Sequence, residues 1–217
     1  MSIFCQGEKA ELLKEQLDAA QAIARFACLL RTALDVLHHR QHRRDVASMP
    51  VWTFSISEAM FFDTILPYAS INERRDNWRA DFRRRFAPLV AEAKSPAQAA
   101  AILNNQMFGL IDVKYSTKRP KADQSPFESI DAGMASCTGL TVLLIDTCRS
   151  VGVPSRFVGT PLWSDGSGNH SWVEVWDDGW HCTGAAEPTG DELGKAWFLN
   201  RASKASRDDP RNAIYAV

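Results

Sequence analysis

The sequence changes its hydrophobic period once, and the change falls between Val151 and Ser155. Before it, apolar residues recur at three- and four-residue steps, the spacing that gives a helix one buried stripe. Leu13, Leu17, Ala20, Ala24, Ala27, Leu30, Leu34 and Leu37 mark a long amphipathic helix over 8–43, ending in the basic run HHRQHRR. Further helices are predicted from Ser57 to about Leu66, over about 72–93, and from Ser95 to Leu110, where Ser95-Pro96 supplies a cap and a first helical residue. Segment 111–135 is less regular and holds the strand-like IDVKY. A last helix begins at Cys137, carries Leu140, Leu143, Leu144, Cys148 and Val151 on one face, and ends at Gly152 and Pro154. After the change come three strand-like blocks, SRFVGT, HSWVEVW and WHCTGAA, the last two joined by the tight-turn signal DDG. Helices first, then one helix leading into an antiparallel meander, predicts an α+β fold.

Composition narrows the functional classes. The 217 residues are 45% hydrophobic and 24% charged, with a formal net charge of −1, so no global field favours nucleic acid or an anionic membrane. No apolar run approaches the roughly 18 residues that would span a bilayer. The N-terminus lacks a basic region followed by an apolar one, so the chain reads as cytoplasmic, or as exported if a leader has been removed. It ends on the strand-like run RNAIYAV, which suggests a longer protein.

Five cysteines, Cys5, Cys28, Cys137, Cys148 and Cys182, form no CxxC pair and make neither a disulfide framework nor a structural zinc site. Cys137 differs from the others by its position. It follows Ser136, a good N-cap, at a helix start whose unpaired N–H groups and dipole favour a thiolate. Cys148 lies on the apolar stripe and Cys182 inside a strand. A nucleophilic thiol needs a base. His38, His39 and His42 sit in a charged helix tail and His181 beside Trp180, whereas His170 opens a strand after the loop PLWSDGSGN. Glu187, at the end of the neighbouring strand, can come alongside His170 to orient its ring.

SCTGLTVLLIDTCRSVGVPSRFV, NHSWVEVWDDGW and AAEPT, in this order, resemble the transglutaminase-like superfamily. The resemblance implies a papain-like core in which a central helix with an N-terminal Cys packs on an antiparallel sheet. It covers 125–190 most specifically and divides the chain into a helical extension over 1–51 and a transglutaminase-like domain over 52–217. It implies Cys137 as nucleophile and His170 as general base and acid, with Glu187 standing where the family places an Asp before Pro. It further implies acyl transfer through a thioester on a peptide or protein amide, with hydrolysis expected over crosslinking and no metal or organic cofactor. The oxyanion would be held by the Cys137 backbone N–H and a second donor, for which Gln124 is the candidate and Trp52 or Trp78 the competitors.

Two other readings stand beside the enzyme. The fold could serve as a non-catalytic binding or scaffolding module, for which the Glu at 187 is one argument. ERRDNWRADFRRRF could bind an anion, although Asp76 and Asp81 offer local partners and favour a charged helix face. Glu174 and Trp172 read as structural strand residues.

Overall fold

A computed structural model describes Trp52 and residues 56–217. The helix expected over 8–43, its histidines, Cys5 and Cys28 lie outside the described residues. Helix α1 spans Glu58–Thr64, and the Ser57 side chain accepts from Met60 N–H at its start. Helix α2 spans Arg79–Phe86 and runs into a 3₁₀ turn, Ala87–Val90, at Pro88. The expected helix over 72–93 therefore begins seven residues late. Acidic side chains upstream bond to main chain instead of continuing a helix: Glu73 accepts from Ser70 and Ile71 N–H, and Asp76 accepts from the distant Phe127 N–H.

Helix α3, Pro96–Leu110, starts on the Ser95 cap as read from the sequence. Strand β1, Lys114–Tyr115, pairs in parallel with β2, Met134–Ala135. Between them lies helix α4, Pro126–Ala132, started by a reciprocal capping box between Ser125 and Glu128 and stopped by left-handed Gly133. Helix α5, Cys137–Ser150, follows directly, with the Ser136 side chain accepting from Gly139 N–H. Strands β3 (Ser155–Thr160), β4 (His170–Trp176) and β5 (Trp180–Thr183) follow, then the short helix α6 (Leu199–Ala202) and strand β6 (Tyr215–Ala216). The sheet order is β5-β4-β3-β6 and every pairing is antiparallel. This is the α+β architecture expected from the order of periods.

The period-two alternation of β4 divides the core. Val173 and Val175 join Phe157 in packing against Leu140, Leu143 and Leu144 of α5. Trp172 joins Val158, Trp163, Ala196 and Phe198 on the opposite face. Twelve of the fourteen α5 residues are buried, so this helix is the axis of the domain. Gly139 is required where α5 begins, because a Cβ there would lie 2.9 Å from the Ala135 Cβ. No helix among the described residues is long and apolar enough to cross a membrane.

Arg149, fully buried near the end of α5, gathers the surrounding chain. Its Nε donates to the Thr64 carbonyl at 3.2 Å, one terminal nitrogen to the Pro67 and Ala69 carbonyls and the Ser70 hydroxyl, and the other to the Ser155 carbonyl. Burial pulls its pKa down to about 10, so it stays charged at neutral pH. Arg79, from the arginine-rich segment, is also buried and donates to the carbonyls of Leu66, Pro67 and Arg149. That corrects the reading of the whole segment as an outward charged face, which holds for Arg84 and Arg85 against Asp81. Arg149→Met removes the donor and leaves main-chain carbonyls buried without one, so it is expected to cost more than about 3 kcal/mol in urea unfolding at pH 7. A loss below about 1 kcal/mol would mean that water replaces the guanidinium there.

Candidate active site

Cys137 is the first residue of α5, half-buried and free. Ser136 fixes the helix start twice, accepting from Gly139 N–H and donating its hydroxyl to the Ala122 carbonyl. Leu140 is the first residue to bond back into the helix, to the Ser136 carbonyl, so the Cys137 and Thr138 N–H groups are among the donors a helix start leaves over. Cys148 is buried, and its burial pushes the thiol up to about 12, which leaves it an inert core residue. Cys182 is half-buried, and burial raises its pKa as well.

His170 opens β4 opposite Thr160 of β3. A hydrogen bond joins the start of α5 to the start of β4, Thr138 Oγ1 to Ser171 Oγ at 3.2 Å. Cys137 and His170 each stand one residue before this contact. Alternation then turns the two β4 side chains apart: Ser171 faces α5, while the His170 ring lies among Trp163, Trp172, Trp197 and Phe198. Among the described residues no hydrogen bond joins the Cys137 thiol to His170. His170 is 7% exposed, and its Nε2 is sealed from solvent without a hydrogen-bond partner. Burial lowers the His170 pKa to about 4, so at neutral pH the ring is an uncharged imidazole.

Glu187 reaches this ring from beyond β5. The chain turns back through Gly184 to Glu187, with Glu187 N–H donating to the Gly184 carbonyl and Ala186 held at φ 60°. A non-glycine residue at positive φ persists only where its surroundings enforce it. Buried Asn104 of α3 does so, donating to the Thr183 hydroxyl and Gly184 carbonyl and accepting from Ala186 N–H at 2.9 Å. Glu187 Oε2 then lies 3.9 Å from His170 Nε2 and accepts from the Trp197 indole N–H at 2.7 Å. With the ring neutral, the 3.9 Å contact is not an ion pair, and it is too long for a hydrogen bond. Burial raises the Glu187 pKa, and the Trp197 hydrogen bond opposes that rise.

Gln124 lies beside the start of α5, its Cβ 3.6 Å from where a Gly139 Cβ would stand. It is buried, and its amide nitrogen donates to the Glu128 and Met134 carbonyls at 3.2 and 3.0 Å. Both amide hydrogens are thus committed to main chain, and the group acts as a brace between α4 and β2. Trp78 Nε1 donates to the Tyr68 carbonyl, and Trp52 packs against the main core. Glu174 pairs with Arg156, and Trp172 belongs to the core, both as expected of strand residues. Sequence reasoning missed Asn104, Trp163, Trp197 and Phe198. No local signal marked the first. A run of aromatics after the acid, AWF at 196–198, was the available clue for the last two.

A cysteine heading the central helix, a histidine opening an adjacent antiparallel strand and an acid beyond the next define the papain-like class of fold. The transglutaminase-like superfamily model matches residues 83–183, and the chain carries that core across this segment. The chain is also similar to a candidate cysteine protease of Cytophaga hutchinsonii, at 15% identity and TM-score 0.45 over 70% of this chain and 52% of that one. It is similar to the periplasmic domain of TgpA from Pseudomonas aeruginosa, at 20% identity and TM-score 0.37 over 52% of this chain and 45% of that one. Legionella pneumophila LapG is similar at 17% identity and TM-score 0.36, over 52% of this chain and 67% of that one. The chain spans about half the length of the first two. No curated protein matches it.

The buried imidazole gives stability a defined pH dependence. Its pKa is about 4 when folded, against the ordinary histidine value of 6.5, so the unfolded chain binds the extra proton first. The contribution is therefore complete above pH 6.5 and is lost as pH falls towards 4. Its full size is about 3 kcal/mol, from about 1.4 kcal/mol per pKa unit. Urea unfolding at pH 7 and pH 4.5 should show a smaller acid-side loss in His170→Asn than in the unmodified protein. Equal losses in both would mean that His170 titrates normally.

Proposed function

We propose that Cys137, His170 and Glu187 carry out thiol-dependent acyl transfer on peptide or protein amides, with hydrolysis as the outcome. The Thr138–Ser171 contact carries this reading, because it brings the start of α5 and the start of β4 together at one end of the sheet. His170 is neutral at working pH and acts as general base, taking the Cys137 thiol proton as sulfur bonds to the substrate carbonyl carbon. In this reading Nδ1 serves the sulfur, and Nε2 is the nitrogen nearer the acid, 3.9 Å from Glu187 Oε2. The carbonyl π electrons move to oxygen, where the leftover Cys137 N–H at the helix start stabilises the charge. Collapse breaks the carbon–nitrogen bond, and the imidazolium gives its proton to the leaving amine. Water, deprotonated by the same ring, then opens the thioester to a carboxylic acid and the free thiol. Gln124 can act as second oxyanion donor by releasing either the Glu128 or the Met134 carbonyl.

A non-catalytic binding module draws on one observation, the absence of a hydrogen bond between thiol and imidazole among the described residues. Iodoacetamide labelling from pH 5 to 9, read by peptide mass spectrometry, separates the two. The enzyme reading expects Cys137 to react first, with its rate falling about 10²–10⁴-fold in His170→Ala and less in Glu187→Gln. It also expects cleavage or deamidation of a peptide library to vanish in Cys137→Ala. Equal, slow labelling of Cys137 and Cys182, indifferent to His170, would leave the binding module as the answer.

A further inference from the structure

Resting on the catalytic reading of His170 and Glu187, we infer that Trp197 is a positioning residue: a latch whose indole N–H holds Glu187 away from His170 until the indole swings out. Three observations converge on it. His170 Nε2 is sealed from solvent with no partner, a condition that native structures rarely leave unresolved in every state they visit. The acid that could satisfy it stands 3.9 Å away, about 1 Å beyond hydrogen-bond length. That same oxygen, Oε2, is already bonded by the Trp197 N–H at 2.7 Å. The described form is therefore one hydrogen bond short of an oriented histidine, and the missing acceptor is engaged by the indole.

The latch is built to release. Trp197 is 56% exposed, whereas its neighbour Phe198 is fully buried against Trp172 and His170. The segment is thus anchored one residue along, and the indole can rotate without disturbing the core. The indole lies tilted beside the His170 ring, at 5.0 Å between centroids and 54° between planes. Arg201 reaches over Trp197 at 5.8 Å and contacts Asp165 at 3.7 Å. Asp165 belongs to the glycine-rich loop that leads into His170, so a peptide lying on that loop would press on the latch. These contacts are exposed and weakly held, as a releasable device requires. Glu187 is free to follow, because Gly184 offers no Cβ where its carboxylate folds back.

Trp197→Phe keeps an aromatic ring and removes the donor. The titration midpoint of His170, followed by NMR of its ring protons, should rise by at least one unit in Trp197→Phe, as Glu187 moves onto Nε2. Opening the site to water could also raise it, so the same substitution is made in Glu187→Gln, where the rise should disappear. In the unmodified protein the Trp197 indole N–H resonance should lie downfield and exchange slowly, and Glu187→Gln should abolish both properties. An unchanged or lower midpoint in Trp197→Phe, or a rise that persists in the Glu187→Gln background, overturns the latch. So does an indole resonance indifferent to Glu187→Gln, a measurement that leaves Trp197 intact. These readouts need no turnover. If Cys137 proves unreactive while the midpoint shifts as described, acyl transfer fails and the latch stands. If Cys137 labels selectively and the midpoint stays put, the latch alone fails.

Discussion

Burial of helix α5 along nearly its whole length is the constraint on which the site depends. A buried helix must satisfy its ends without water, because orphan N–H and C=O groups are costly in a dry interior. Ser136 meets that demand at one end, and Arg149 ties the other to the segments around Thr64, Pro67 and Ser155. Fixed at both ends, the helix cannot slide against the sheet, and the position of the first-turn thiol follows from it. The same burial leaves Asp146 with neither oxygen partnered among the described residues and raises its pKa well above the carboxylate range, which favours the neutral acid. The helix therefore carries a polar cost, to which the unpartnered Thr141 hydroxyl adds, inside a core built from aliphatic and aromatic side chains.

Much of the scaffold was legible because period and caps are local. Ser95-Pro96 and Ser136-Cys137 marked their helix starts to the residue, and β3 and β4 coincide with SRFVGT and HSWVEVW. Helix α4 was equally local, since Ser125, Pro126 and Glu128 form a complete capping box, yet its seven residues disappeared within a polar stretch read as irregular. The late start of α2 was not local. Asp76 is drawn to an N–H 51 residues away, a partner no window of sequence displays.

The site divides along the same line. Cys137 and His170 could be placed at the heads of their elements, because a cap and a strand onset are short-range features. The surroundings of His170 could not, because the aromatic enclosure is assembled from β4, the loop after β3 and the segment before α6. Gln124 shows the limit from the other side. Its nearness to Cys137 was readable, but its hydrogens belong to two carbonyls that only the folded α4–β2 connection brings within reach.

The glutamate at 187 illustrates why reach cannot be judged from side-chain length. An extra methylene adds about 1.5 Å, one carbon–carbon bond, which ought to overshoot a site shaped for aspartate. Here the turn absorbs it. The backbone reverses through Gly184 and left-handed Ala186, and the side chain folds back over the glycine instead of extending. Asn104 maintains that reversal through three hydrogen bonds. The remaining gap to Nε2 then reflects direction, with Oε2 turned to Trp197, and not insufficient length. An aspartate on the same turn would sit farther from the ring, so the turn and the longer acid make sense together. Exchanging either alone would separate the carboxylate from the histidine.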